Sequence, residues 1–261
     1  MSTLKEAKRI VFKVGTSTLT YDTGKANIRR MSKLAEVLSD LQNSGREVVL
    51  VTSGAIGIGV GKLGLKSKPS DTPGRQAAAC VGQCELMFIY DKLFSEFGHT
   101  VGQLLITKSD VDDPERCSNL INTFEKLFEF GAIPIVNEND SVAVDEIVFG
   151  DNDNLSATVA KLIKADALVI LSDIDGLLSA NPLEDASATL IPCVDEIDDE
   201  IFSLASGAGT NRGTGGMITK LQAAKTATEA GITTVVMNGY DPTDIYKLID
   251  GHSVGTLFRC K

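Results

Sequence analysis

Arg9-Ile10-Val11-Phe12-Lys13-Val14-Gly15-Thr16-Ser17 decides how this chain is read. Its branched and apolar residues suit a buried strand, and the glycine-containing turn ends that strand. A helical pattern then runs from Asn27 to Asn43. The alternation continues: Glu47 to Thr52 leads into a glycine-rich helix start, and Val101 to Ile106 leads to Pro114 to Phe130. Ile133 to Val136, Ala167 to Leu171 and Thr233 to Met237 follow, the last two beside helical patterns at Leu155 to Lys164 and Met217 to Ala230. Strands that alternate with helices imply a mainly parallel sheet covered on both faces. The expected fold is therefore α/β, a three-layer α/β/α sandwich with a central mainly parallel sheet.

No low-complexity tract or Pro/Gly/Ser linker divides the chain, so residues 1–261 read as a single domain with two functional lobes. Leu65 to Gly74 reads as a surface loop, and Ser141 to Phe149 as a small hairpin projecting from the sheet. Composition is that of an ordinary globular protein, 43% hydrophobic and 23% charged over 261 residues. The five cysteines, Cys80, Cys84, Cys117, Cys193 and Cys260, form no C-x-x-C pair, as expected of reduced thiols in a cytosol. Cys80 and Cys84 lie one helical turn apart; with only His99 and His252 as histidines, they read as core packing rather than metal ligands. Met1 to Lys8 has no apolar signal region, and no run approaches the roughly 20 apolar residues of a membrane span. These features predict a cytoplasmic protein with no membrane association. A net charge of −10 and a pI near 4.8 argue against a nucleic-acid footprint, so anionic ligands must be drawn by local lysines and backbone amides.

In open α/β sheets ligands gather beyond the carboxyl ends of the strands. The polar motifs of this chain fall at such ends: Lys13 to Ser17, Ser53-Gly54-Ala55, Asn137-Glu138-Asn139-Asp140 and Ser172-Asp173. Lys13 interrupts an apolar strand, where an ammonium is costly without an anionic partner. A phosphate is one such partner; a strand-end lysine reaching solvent is the plainer alternative. Gly150-Asp151-Asn152-Asp153-Asn154-Leu155-Ser156-Ala157 holds more short polar groups than one helix cap needs, which suggests a site for a charged small molecule. Gly213-Thr214-Gly215-Gly216-Met217-Ile218-Thr219-Lys220 is a glycine-rich loop entering a helix, suited to closing over polyphosphate. Gly59-Val60-Gly61-Lys62-Leu63-Gly64 matches G-x-G-x-x-G only formally, because it begins well beyond Thr52, and Gly61-Lys62 fails the P-loop pattern.

These stretches, with Val51 to Ile56 and Ser253 to Phe258, resemble in order the motifs of the glutamate 5-kinases, in the amino acid kinase superfamily. The resemblance covers almost the whole chain. It implies ATP-dependent phosphorylation of the γ-carboxylate of L-glutamate, the first step of proline biosynthesis. It implies that Lys13 and Lys220 contact the phosphates, with Asp151 organising those lysines. Ser53, Gly54, Asp140 and Asn152 would hold glutamate in an N-terminal lobe, with Asn137 and Asp153 nearby. Ser172, Asp173 and the loop Thr214, Gly215, Gly216, Met217, Ile218, Thr219 and Lys220 would hold ATP in a C-terminal lobe. Mg²⁺ would arrive with ATP, with no metal site in the protein itself. Proline as feedback inhibitor, a glutamyl phosphate reductase partner and a homo-oligomer are further family expectations. Two departures stand out: Ser172 replaces a common threonine, and the chain stops at Lys261, so the PUA domain of many bacterial relatives is expected to be absent.

A carboxylate nucleophile, with an ordinary pKa of about 4.3, is already ionised at neutral pH and needs no general base. A chain with two isolated histidines suits that chemistry. Rival readings are an N-acetylglutamate or carbamate kinase, a nicotinamide-dependent dehydrogenase and a non-catalytic amino-acid sensor. The free ammonium of glutamate calls for an anion such as Asp140, the glycine motif is misplaced for a dehydrogenase, and a sensor does not need both lysines.

Overall fold

The computed structural model describes residues 4–21, 23–142, 152–180, 185, 187–205 and 216–260. Strands β1 (Arg9–Val14), β2 (Glu47–Thr52), β3 (Val101–Ile106), β4 (Ile133–Glu138), β5 (Ala167–Ser172), β6 (Cys193–Val194), β7 (Thr233–Asn238) and β8 (Thr256–Phe258) form an eight-stranded sheet. Their order is β3-β4-β2-β1-β5-β7-β8-β6. Pairing is parallel from β3 through to β7; β8 runs antiparallel to β7, and β6 is parallel to β8. The mainly parallel sheet expected from the sequence is present, and the reversal at one margin comes from the final short strands.

The helices are α1 (Thr16–Leu19), α2 (Ile28–Asn43), α3 (Ala55–Leu63), α4 (Thr72–Ser95), α5 (Lys108–Asp112), α6 (Pro114–Glu129), α7 (Asn152–Leu162), α8 (Asp199–Ala205), α9 (Met217–Glu229) and α10 (Asp244–Ile249). Alternation along β1 divides the core into two layers. Ile10, Phe12 and Val14 join Met31 and Leu34 of α2, Leu86 and Tyr90 of α4 and Ile245 of α10. Val11 joins Leu155 and Val159 of α7 and Leu221 and Ala224 of α9 on the opposite face. With helices on both faces of a parallel sheet, a ligand crevice opens at the strand ends. No helix among the described residues is long and apolar enough to cross a membrane.

Local signals set most boundaries. The Asn27 side chain accepts from Arg30 N–H at 3.2 Å to start α2, and Asp113 Oδ1 accepts from Glu115 and Arg116 at 3.0 and 2.9 Å ahead of Pro114. The loop expected over Leu65 to Gly74 ends sooner, because Asp71 accepts from Gly74 N–H at 2.7 Å and Pro73 lies in the first turn of a helix. That helix, α4, is 24 residues long and has no counterpart among the patterns read from the sequence. Its apolar residues surround the axis instead of forming one stripe: Leu86 and Tyr90 are buried while Phe88 is exposed. Cys80 and Cys84 are exposed on α4, which corrects their reading as core residues; the core side of the helix is occupied by Ala78, Ala79, Leu86 and Tyr90. The hairpin expected after Ser141 falls largely outside the described residues.

The formal G-x-G-x-x-G lies within α3 and its terminus, and its first glycine has a packing role. A Cβ on Gly59 would sit 1.8 Å from the Ala78 carbonyl oxygen, and one on Gly82 would sit 1.7 Å from that of Ala55. Helices α3 and α4 therefore touch backbone to backbone. Gly82→Ala must push them apart, a change placed at the upper end of overpacking effects, about 3 kcal/mol, or a fall in Tm of roughly 6–12 °C. Urea and thermal unfolding check this; a melting temperature equal to that of the parent would mean that the contact yields freely.

Candidate active site

Because β1, β2, β4, β5 and β7 run in one direction, their carboxyl ends meet at one margin of the sheet. Lys13 is next to last in β1, on the face of Val11, and only 4% exposed. Asp153 lies in the first turn of α7 and is completely buried; Lys220 lies in the first turn of α9 and is 5% exposed. The Asp153 carboxylate binds both cations, with Oδ1 at 2.6 Å from Lys13 Nζ and Oδ2 at 3.2 Å from Lys220 Nζ. Thr219 Oγ1 lies 3.0 Å from the same Oδ2. Burial alone would raise the Asp153 pKa, but the ammonium groups of Lys13 and Lys220 outweigh it and hold the carboxyl below its ordinary value. The start of α7 adds the favourable end of a helix dipole.

Asn152, one residue earlier, turns toward a different set of groups. Its Nδ2 donates to Thr52 O at 2.6 Å, Ser53 Oγ at 3.0 Å and Asn137 Oδ1 at 2.9 Å. Asn137 Nδ2 in turn donates to Gln83 Oε1 at 2.8 Å, while Asn137 Oδ1 also accepts from Glu138 N–H at 2.9 Å. Gly54 opens α3 with φ of 100°, a left-handed conformation that glycine adopts without strain. Tyr90 OH and Thr52 Oγ1 meet at 2.9 Å close to this cluster, and burial pushes the Tyr90 phenol up. Asp140 is half-buried in the turn after β4. Burial raises its pKa, partly opposed by the Lys68 ammonium, as expected of a carboxylate that gains from a nearby cation.

At the end of β5, Ser172 donates to Asp173 Oδ1 at 3.1 Å, while its carbonyl accepts from Gly239 N–H at 2.7 Å. Gly216 caps α9; Met217 behind it is buried, and Ile218 is exposed. Asp151, Thr214 and Gly215 lie outside the described residues.

The Amino acid kinase family matches residues 8–238, nearly the whole of this framework. The chain belongs to that family. Glutamate 5-kinase of Clostridium perfringens (strain 13 / Type A) is 52% identical over 99% of this chain and 97% of the relative. Glutamate 5-kinase of Clostridium tetani is 52% identical over 98% and 96%. That of Moorella thermoacetica, also 52% identical, is matched over 98% of this chain and 68% of its own length. Among solved structures, UMP kinase from Bacillus anthracis superposes with a TM-score of 0.66 at 17% identity, over 98% of this chain and 97% of that one. Isopentenyl phosphate kinase of T. acidophilum superposes with a TM-score of 0.65 at 18% identity, over 96% and 100%. These two distant likenesses speak to the amino acid kinase fold alone.

Within this family member the described site residues gather at one margin of the sheet. The family resemblance gives Asp151 the task of organising the lysines and puts Asp153 beside glutamate. In the structure Asp153 spans both lysines and has no exposed surface, while its neighbour Asn152 meets Ser53 and Asn137. A run of alternating Asp and Asn does not reveal which carboxylate turns inward; that depends on the rotation of α7. Gln83 and Tyr90 border this cluster, and the sequence does not mark them, because α4 itself has no clear pattern there. The one signal is a glutamine in phase with Ala79, Leu86 and Tyr90 on the inner face.

Asp153→Asn keeps the shape but withdraws the charge between two buried ammonium groups. Removing one partner of a buried ion pair costs about 3–5 kcal/mol, so urea denaturation at neutral pH should show a loss of that size. A carboxyl with a lowered folded pKa contributes stability above its unfolded pKa of about 3.9 and loses it as the pH falls through the folded value. The acid limb of stability should accordingly be shallower in Asp153→Asn than in the parent; parallel acid limbs would contradict the ion-pair assignment.

Proposed function

We infer that the chain transfers the γ-phosphoryl group of ATP to the γ-carboxylate of L-glutamate, giving L-glutamyl 5-phosphate, the first step of proline biosynthesis. The observation that carries the reading is the first turn of α7. Asn152 faces the Ser53–Asn137 cluster and Asp153 faces the two lysines, so adjacent residues tie an amide-lined pocket to a cationic centre. Full-length identity of 52% to glutamate 5-kinases supports the same assignment.

In this reading residues 1–261 are one domain. Its N-terminal lobe holds glutamate through Ser53, Gly54, Asp140 and Asn152, with Asn137 behind, and its C-terminal lobe holds ATP. Asp140 pairs with the α-ammonium, a contact that an N-acetylated substrate or carbamate does not need. Ser172, Asp173 and the stretch from Thr214 to Lys220 line the nucleotide side. A γ-carboxylate oxygen forms the new bond to phosphorus as the bond to the ADP oxygen breaks, and no proton moves. Lys13 and Lys220, held in place by Asp153, neutralise charge on the phosphoryl oxygens during transfer. Magnesium entering with ATP would supply further neutralisation of that charge, and Asp153 would not hold it, since both Asp153 oxygens are engaged with ammonium groups. The setting is a cytoplasmic homo-oligomer that proline inhibits from the glutamate pocket and whose labile acyl phosphate passes to a glutamyl phosphate reductase.

Incubation with ATP, magnesium and hydroxylamine tests the reading. Hydroxamate should form from glutamate in preference to aspartate or N-acetylglutamate; preference for the acetylated acid would overturn it. Lys13→Met or Lys220→Met should lower kcat on the order of 10²–10³-fold, as removal of one preorganised charge stabiliser does. Near-parental kcat in a folded variant would remove both lysines from the transition state. Asp140→Asn should raise the KM for glutamate roughly ten- to a hundredfold, the loss of one charge-assisted contact, and leave the KM for ATP unchanged. An effect confined to ATP would mean that the two halves of the site are reversed.

A further inference from the structure

Gln83 lies on α4, far from the motifs that carry the family resemblance, yet it ends the chain of amides in the glutamate pocket. Two backbone groups give that chain its direction: Thr52 O accepts from Asn152 Nδ2, and Glu138 N–H donates to Asn137 Oδ1. Asn152 Nδ2 has two protons and faces three acceptors, Thr52 O, Ser53 Oγ and Asn137 Oδ1, so this end of the Asn152 amide is turned inward. Asn137 Oδ1 can accept from Asn152 only while Asn137 Nδ2 points the other way, and there it meets Gln83 Oε1 at 2.8 Å. Gln83 Nε2 is then left buried with no hydrogen-bond partner among the described residues.

That leftover donor is informative. A buried amide proton without an acceptor weakens a fold, and an apolar residue would fill the same place without the penalty. Gln83 is 9% exposed and lies in phase along α4 with the buried Ala79, Leu86 and Tyr90, so packing gives no reason for an amide here. The return lies in its other end, the oxygen that holds Asn137.

We propose that Gln83 is a positioning and specificity-determining residue: its Oε1 anchors Asn137 Nδ2 and so holds the Gln83–Asn137–Asn152 amide chain, whose polarity Thr52 O and Glu138 N–H set, with Asn152 Oδ1 presented to the α-ammonium of the substrate. A reversed Asn152 amide would present N–H groups to a cation. The chain thereby selects acids that carry a free ammonium, in concert with the charge of Asp140. This inference rests on the glutamate reading above and assigns to α4 a part in substrate choice.

The experiment compares the parent with Gln83→Met, which matches the side-chain length but offers no comparable acceptor. Glutamate KM should rise roughly five- to tenfold, the effect of one neutral hydrogen bond lost from the relay. The KM for ATP should not change. Glutarate, which has both carboxylates and no ammonium, should inhibit parent and variant with the same Ki. Thermal stability should stay within about 3 °C, because one unpaired buried donor, Gln83 Nε2, is exchanged for another, Asn137 Nδ2. Gln83→Leu carries the same test if the methionine variant does not fold. An unchanged glutamate KM in a folded variant overturns the proposal. So does an equal weakening of glutamate and glutarate, which would indicate a structural role only. A parent enzyme that makes no hydroxamate from glutamate overturns the glutamate reading itself; an active parent with an unaffected variant overturns this inference alone.

Discussion

One buried carboxylate between two buried ammonium groups is the constraint on which the rest of this structure depends. Lys13 comes from the first strand, Asp153 from α7 and Lys220 from α9, so a single ion-paired centre joins three parts of the chain that are far apart in sequence. None of the three charges is tolerable alone in this interior. Together they order the start of both helices against the end of β1. The parallel sheet makes the meeting possible because it brings every relevant strand end to one margin. Alternation along β1 does the rest, since it puts Lys13 on the same face as α7 and α9 while Phe12 and Val14 face α2 and α4.

The site has a simple electrostatic layout. Cations and helix starts collect on one side, amides and a partly desolvated carboxylate on the other; in the proposed reading these are the phosphate side and the amino-acid side. Asn152 and Asp153 mark the boundary, and because they are consecutive in one helical turn, the two halves cannot shift independently. For a transfer between two anions this matters more than any proton-transfer group. The nucleophile is ionised before it binds, and the barrier is set by alignment and by charge neutralisation.

Much of this is legible from residues alone. β1 and β2 have the boundaries read from their branched apolar runs, because buried parallel strands are continuous in their hydrophobicity and are closed by polar turns; the half-exposed edge strand β3 also keeps its read boundaries. Lys13 and Lys220 announce themselves as cations in apolar company. Two things do not show. α4 is apolar around most of its circumference and carries glycines, so no single stripe marks it as a helix. The inward turn of Asp153 depends on helix rotation, which neighbouring carboxylates in a polar run do not encode. Gln83 shares the fate of α4: an isolated glutamine carries no signal until its helix is laid against Asn137.

The backbone contact between α3 and α4 has an effect beyond stability. Gly82 immediately precedes Gln83, and the carbonyl it approaches belongs to Ala55, two residues after Ser53. The missing side chains at Gly59 and Gly82 therefore act as a gauge block: they set the spacing between the helix that begins at the Ser53 wall of the pocket and the helix that supplies the Gln83 wall. In the proposed reading those two walls bound the acid, so its size is gauged in one coarse step, the first methyl group at either glycine.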